Sequence, residues 1–274
     1  MRSAAFSEGH DAYRESVQMS PDRFPGFGLE GKVALVTGGS RGLGREMVHA
    51  FAEAGADVVI VSRKLDSCEK VAAEVRERTG RRALAVAAHV AEWDAQQSVV
   101  DRVYDELGRL DVLVNNAGLS PLYDSLDAVS EELFDKVIGV NLKGPFRLTS
   151  LVGSRMAPAD GGSIINVSSV AAERATPGEL PYAAAKAGLN VLTKGFAQAY
   201  GPSVRVNAIM AGPFLTDISR HWDMNVVQKR LAQYPLARAG RPHEVVGAAL
   251  YLASAASSFT TGAVLAVDGG RTAQ

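Results

Sequence analysis

Val33-Ala34-Leu35-Val36-Thr37-Gly38-Gly39-Ser40-Arg41-Gly42-Leu43-Gly44 is the stretch that decides the fold. The aliphatic run Val33 to Val36 has no polar alternation, which reads as a short strand buried on both faces. Glycines follow it at once, and helical spacing takes over from Glu46 to Ala54. A glycine-rich turn between strand and helix lets backbone N–H groups at the helix N-terminus approach a pyrophosphate, where the helix dipole favours negative charge. The spacing of Gly38, Gly42 and Gly44 is Gly-x-x-x-Gly-x-Gly, not Gly-x-Gly-x-x-Gly, so the position of the turn after the first strand carries the reading.

Outward from this turn the pattern repeats. Apolar runs recur at Val58 to Val61, Leu84 to Ala87, Val112 to Val114, Ile164 to Val167, Val204 to Ala208 and Ala263 to Val267. Helical spacing fills Ser67 to Arg78, Ala95 to Leu107, Glu131 to Val152, Tyr182 to Tyr200 and His243 to Ser254. Strand and helix in alternation predict an α/β chain: a Rossmann-type doubly wound parallel sheet of about seven strands with helices on both faces. Residues 29–274 are expected to form one dinucleotide-binding and catalytic domain, and residues 1–28 an N-terminal arm, disordered or packed late. Such a sheet binds ligands outside the carboxyl ends of its strands, so the chemistry is expected just after the apolar runs.

The composition narrows the partners. The 29 Lys+Arg and 30 Asp+Glu leave a formal net charge of -1, without the basic excess that draws a chain to nucleic acid or an anionic membrane. The N-terminal stretch lacks the apolar core of a secretory signal, and no run approaches the roughly 18 apolar residues of a membrane span. Cys68 is the sole cysteine, and no Cys/His cluster has metal spacing, so no disulfide or metal site is expected. The expectation is a soluble, cytoplasmic protein without nucleic-acid or membrane partners.

The second apolar run ends in Ser62-Arg63-Lys64. An NAD site would place an acid there for the ribose 2′-hydroxyl. A guanidinium at Arg63, with Ser62, Lys64 and Arg41 of the glycine loop, is instead suited to charge-assisted hydrogen bonds with a 2′-phosphate, which favours NADP(H).

From Leu29 to Gly270 the sequence resembles the short-chain dehydrogenases/reductases. The resemblance rests on Thr37 to Gly44, Asn115-Asn116-Ala117-Gly118, Asn141 within Val140-Asn141-Leu142, Ser169, and Tyr182-Ala183-Ala184-Ala185-Lys186. It implies interconversion of a ketone and a secondary alcohol, with a small-molecule carbonyl or alcohol substrate. By resemblance the catalytic residues are Asn141, Ser169, Tyr182 and Lys186. The cofactor would contact Gly38, Ser40, Arg41, Gly42, Leu43, Gly44, Ser62, Arg63, Lys64, His89, Val90, Asn116, Ala117, Gly118, Tyr182, Lys186, Gly212 and Thr216.

The chemistry supports those assignments. Ketone reduction needs a proton donor for the developing alkoxide and dipoles that stabilise it. Tyr182 is the candidate acid. Lys186, one helical turn on, faces the same way and is expected to lower the phenol pKa from about 10. The resemblance gives Ser169 a hydrogen bond to the substrate oxygen, and gives Asn141 a part in positioning the lysine and relaying protons.

Two positions depart from the family. His89-Val90 replaces the usual Asp-Val, whose acid accepts from the adenine amino group; a neutral imidazole is expected to accept one bond instead. Ala211-Gly212 replaces Pro-Gly ahead of Thr216, with Pro213 two residues later. The lid expected over roughly 214–235 contains Phe214, Leu215, Ile218, His221, Trp222, Met224 and Tyr234, suggesting an apolar or mixed substrate pocket. Within the family the chain resembles 3-oxoacyl-acyl carrier protein reductases. A polyol, sugar-acid or steroid dehydrogenase uses the same catalytic residues, and a non-catalytic dinucleotide sensor or scaffold is the alternative of another class. The resemblance also implies a homo-oligomer, tetramer or dimer, through the helices of Asn141 and Tyr182 and the strand near Val267. Leu148, Leu151, Leu189 and Leu192 supply either its apolar surface or core.

Overall fold

The computed structural model describes residues 26–217, 219 and 224–273; residues 1–25, most of the expected arm, lie outside them. The chain runs β1 (Val33–Thr37), α1 (Gly42–Glu53), β2 (Asp57–Ser62), α2 (Leu65–Thr79), β3 (Ala83–Ala87), α3 (Ala95–Leu107), β4 (Val112–Asn115), α4 (Glu131–Ile138), α5 (Gly144–Met156), β5 (Gly162–Ser169), α6 (Leu180–Tyr200), β6 (Val204–Ala211), α7 (Met224–Leu231), α8 (Val246–Ala253) and β7 (Val264–Val267). The seven strands form one sheet in the order β3-β2-β1-β4-β5-β6-β7. All pairings are parallel. The order reverses between β1 and β4, which opens a crevice at their carboxyl ends. Among the described residues no helix is long and apolar enough to cross a membrane.

Period-two alternation along the strands feeds two cores. On β1, Ala34 and Val36 join Met47, Phe51 and Ile60 on one face. Val33 and Leu35 join Val59, Leu113, Leu148 and Ile164 on the other. Each such side chain contributes about 1.5–3 kcal/mol on burial. Leu29 is in the core, and its N–H donates to Ala54 O.

Four elements differ from expectation. β5 and β6 run past their apolar stretches, with Ser168 paired to Met210 and Ser169 to Ala211. β6, held on its other side by β7, carries the ladder through the β5 serines of weak strand propensity after the pairing with β4 ends at Asn166. The single helix predicted from Glu131 to Val152 is broken by a π turn over Gly139–Lys143. There Asn141 Nδ2 donates to Val137 O at 2.9 Å, taking the carbonyl that the Asn141 N–H would use in an α-helix. α7, within the lid, is a helix that the sequence did not signal.

A buried polar chain ties the sheet to both helices on one side. Asn115 Nδ2 donates to Thr149 Oγ1 (3.0 Å) and Asn166 Oδ1 (2.9 Å), and Asn166 Nδ2 donates to Thr193 Oγ1 (2.9 Å). Asn166→Ala leaves partners unsatisfied on β4 and α6, which is expected to cost about 1–3 kcal/mol. For a domain of this size that lowers Tm by roughly 2–4 °C per kcal/mol, measurable by thermal unfolding.

Candidate active site

The turn after β1 is shaped by glycine. Gly38 has φ of 65°, in the left-handed region, and turns the chain sharply toward β4. A Cβ on Gly44 would lie 2.4 Å from Gly38 O and 2.5 Å from Asn116 Nδ2, so the first turn of α1 can only approach the loop without a side chain. The expected α1 start at Glu46 moves back to Gly42, which places the helix N-terminus inside the glycine cluster. This cradle, with its donors exposed at the switch point of the sheet, fits a dinucleotide pyrophosphate.

Asn116 fixes the other wall. Its Nδ2 donates to Thr37 O (2.8 Å) and Gly38 O (3.3 Å), while Thr37 Oγ1 accepts from the N–H groups of Asn116 (3.0 Å) and Ala117 (3.1 Å). Ser40 Oγ donates to Ser62 Oγ at 3.0 Å and joins the glycine loop to the tip of β2. Arg41, Arg63 and Lys64 are exposed around this hydroxyl pair. A Cβ on Gly42 would lie 3.5 Å from the Thr216 methyl, so the start of the lid stands near the glycine loop. Ala211 remains in β6, paired with Ser169 on one side and Val267 on the other.

At His89 the structure corrects the expectation of an accepting imidazole. Nδ1 already accepts from the Ala91 N–H at 3.2 Å, which in the neutral ring leaves Nε2–H as a donor. Val90 O accepts from Gln96 Nε2, so this residue fixes the start of α3 through its backbone.

Ser169, Tyr182 and Lys186 meet at the carboxyl end of β5. Ser169 Oγ accepts from the Ala171 N–H at 3.2 Å, and it interacts with the Tyr182 phenol. Lys186 is 2% exposed; its Nζ donates to Val167 O at 2.7 Å and lies 5.7 Å from the Tyr182 ring centroid. Burial pushes the Tyr182 phenol up to about 12, the Ser169 contact lowers it and Glu179 raises it. Burial also pulls Lys186 down to about 8. The expected depression of the tyrosine by the lysine is therefore overturned in this state: desolvation of the phenolate dominates.

Asn141 is fully buried, and its amide bonds only to backbone: Oδ1 accepts from the Leu119 N–H (3.2 Å), and Nδ2 donates to Leu119 O (2.7 Å) and to Val137 O. It thus pins the Gly118–Leu119 segment beside Lys186. Tyr123 was not singled out from sequence. Its hydroxyl donates to Pro177 O (2.6 Å) and accepts from the Leu180 N–H (2.9 Å), clamping the loop after β4 onto the first turn of α6. A lone tyrosine in a polar loop gives no sequence signal for a contact made 57 positions away.

The lid begins with Leu215 N–H donating to Gly240 O (2.8 Å) and Gly240 N–H to Pro213 O (2.9 Å). Phe214 and Tyr234 are buried, the former in the main core and the latter with Leu231 and Ala239, so neither is a free pocket wall. Leu215 does line a cavity of about 570 Å³, with Gln228, Leu231, Arg238, Arg241 and His243, which is mixed rather than apolar. Ile218, His221 and Trp222 lie outside the described residues.

A glycine cradle at the sheet's switch point and a Ser, Tyr and Lys group at the end of β5 define a dinucleotide-dependent oxidoreductase, and the chain belongs to the short-chain dehydrogenase/reductase family. The family model that matches, over residues 38–272, is described as enoyl-(acyl carrier protein) reductase. A 3-oxoacyl-(acyl-carrier-protein) reductase of Thermotoga maritima is 40% identical over 247 residues, covering 88% of this chain and 98% of the relative. Sorbose reductase of Schizosaccharomyces pombe is 36% identical, over 89% of this chain and 97% of its own length. Among solved structures, a gluconate 5-dehydrogenase from Burkholderia cenocepacia in complex with NADP and tartrate superposes with a TM-score of 0.86 at 36% identity, covering 90% of this chain and 98% of that one.

The buried lysine has a stability consequence. Its folded pKa near 8 lies below the unfolded value, so the fold carries the full charging penalty below about pH 8 and sheds it as pH rises toward the unfolded pKa of about 10.4. Lys186→Met is expected to raise Tm at pH 7 by a few degrees, on the order of 2–4 °C per kcal/mol relieved. That advantage shrinks between pH 8 and 10, as thermal unfolding across this range will measure.

Proposed function

We propose that the protein is an NADP(H)-dependent oxidoreductase that interconverts a ketone and a secondary alcohol, with a 3-oxoacyl thioester as its substrate class. The convergence of Ser169, Tyr182 and Lys186 beside the glycine cradle is the observation that carries the reading. The substrate carbonyl lies against Ser169 Oγ and Tyr182 Oη, which polarise it by hydrogen bonding. NADPH, when bound, supplies the hydride. Tyr182 gives its proton to the carbonyl oxygen as the alcohol forms; with a phenol pKa of about 12 it is fully loaded with that proton at neutral pH. The Lys186 ammonium stabilises the phenolate left behind and the proton returns from solvent through it. Asn141 acts by position, holding the Gly118–Leu119 segment against the lysine.

Gly38, Gly42, Leu43 and Gly44 hold the pyrophosphate at the start of α1, and Asn116, Ala117, Gly118, Gly212 and Thr216 line the remainder of the cofactor. Ser40, Arg41, Ser62, Arg63 and Lys64 take the 2′-phosphate, which supports NADP(H) over NAD(H). His89 presents a donor to the adenine. The 40% identity to a 3-oxoacyl-(acyl-carrier-protein) reductase supports the thioester. A sugar-acid substrate is the second reading, favoured by the likeness to a gluconate 5-dehydrogenase solved with NADP and tartrate. A single buried thiol, Cys68, suits a cytoplasmic setting.

A homo-oligomer completes the reading. Leu148 and Leu189 are core residues, so the apolar surface comes instead from Phe134, Phe146 and Val191 on the same helices and from Phe259 and Leu265 by β7.

The test is NADPH oxidation with an acetoacetyl thioester. Tyr182→Phe is expected to bind NADPH normally while kcat falls by about a hundredfold or more. Arg63→Ala is expected to weaken NADPH by roughly ten- to a hundredfold and leave NADH nearly unchanged, by fluorescence titration. Equal weakening of both cofactors removes the 2′-phosphate assignment.

A further inference from the structure

A second pair of cations lines a hollow at the loop between Ser169 and Tyr182. Arg174, Ala175, Thr176 and Arg271 line a cavity of about 290 Å³. Arg174 stands in the loop that carries the chain from Ser169 to Tyr182. Arg271 comes from the opposite direction, past the end of β7. Two elements distant in sequence thus bring one guanidinium each to the same small hollow, beside the loop that presents the reacting groups.

The position of Arg271 is built. Asp268 Oδ1 accepts from the Gly270 N–H (2.9 Å), and Oδ2 accepts from the Thr272 N–H (2.8 Å) and Oγ1 (2.7 Å), which closes the C-terminal turn. Its carboxylate is thereby spent on local donors and does not pair with Arg271. The Arg271 guanidinium instead lies 4.9 Å from the centroid of Tyr234, a buried lid residue. Leu236 N–H donating to Gly269 O (3.1 Å) ties the same turn to the lid. On the other wall, Thr176 Oγ1 donates to Glu179 Oε1 at 3.0 Å, which engages that carboxylate. Among the described residues no ion pair engages Arg174 or Arg271, so the charge of each is left for another partner.

We propose that Arg174 and Arg271 form an anion subsite that holds a carboxylate or phosphate group of the substrate while its carbonyl lies at Tyr182. This inference rests on the carbonyl-reductase reading and adds a required charge to it. Two guanidiniums facing one hollow repel each other, and an oxyanion turns that repulsion into charge-assisted hydrogen bonds in planar, bidentate geometry. The carboxylate of a keto sugar acid and the phosphate of a thioester carrier share this chemistry.

Two matched pairs of substrates separate the sources: 5-ketogluconate against sorbose, which differ in a terminal carboxylate or hydroxymethyl, and acetoacetyl-coenzyme A against acetoacetyl-N-acetylcysteamine, which lacks phosphate. In Arg174→Gln and Arg271→Gln, the ratio of kcat/KM for the anionic over the neutral member is expected to fall by about tenfold or more for the pair whose anion uses the subsite, and Arg→Lys at either position to recover part of it. A fall below about tenfold in both pairs overturns the subsite. If the wild type turns over none of the four, the carbonyl-reductase assignment to these substrates fails, and calorimetric titration with malonate at saturating NADPH decides the subsite alone. Malonate binding that weakens about tenfold in both Gln variants supports it; binding that is absent from the wild type or unchanged in the variants overturns it.

Discussion

The close approach of the turn after β1 to the end of β4 is the constraint on which the rest of the structure depends. Parallel strands diverge there because the sheet reverses its order, and the backbone of Gly38 and Gly44 fills the space against Asn116 and Ala117. A single methyl at Gly44 would meet Gly38 O at 2.4 Å, so the helix N-terminus, the amides it exposes and the amide of Asn116 hold one geometry or none. The same contact sets where Thr216 enters, since the lid begins against Gly42. Cofactor cradle, lid and central sheet therefore share one packing condition.

Around that cradle the protein stores electrostatic cost. A lysine that is 2% exposed, with one carbonyl for a partner, is destabilising by the ordinary accounting of buried charge. A tyrosine pushed to about 12 is likewise held in its neutral form. Both shifts have the same cause, burial, which disfavours the charged form of each side chain and places a neutral phenol beside a buried amine. Asn141 and Tyr123 do the mechanical work: one pins the loop after β4 under the lysine, and the other pins the same loop to the start of α6. The catalytic helix is thus held at both ends of its first turns by a loop that contains no reacting group.

The lid follows a different logic. Its buried residues, Phe214, Leu231 and Tyr234, stabilise it as a small packed unit, and its polar residues face the cavities. The C-terminal turn closed by Asp268 supports it from below. In a family whose chemistry is carried by a few common residues, the charges on such cavities are what distinguish one substrate from another.

The sequence by itself determined the order of strands and helices, the place of the glycine turn and the register of Ser169, Tyr182 and Lys186. Those features are local: apolar runs buried on both faces, a turn that only glycine permits, and a four-residue helical spacing are all written in neighbouring positions. What only the tertiary structure decided depends on partners far along the chain. β5 extends through Ser168 and Ser169 because β6 continues beside it as far as Ala211, which β7 pairs on its other side. The predicted helix around Asn141 breaks because its side chain takes a backbone carbonyl while it binds Leu119 across the loop. His89 turns its acceptor inward to Ala91, and the Tyr182 phenol is pushed up because burial outweighs its Ser169 hydrogen bond. Arg174 and Arg271 lie 97 positions apart, and no periodicity or motif joins them; the fold alone places both on one cavity.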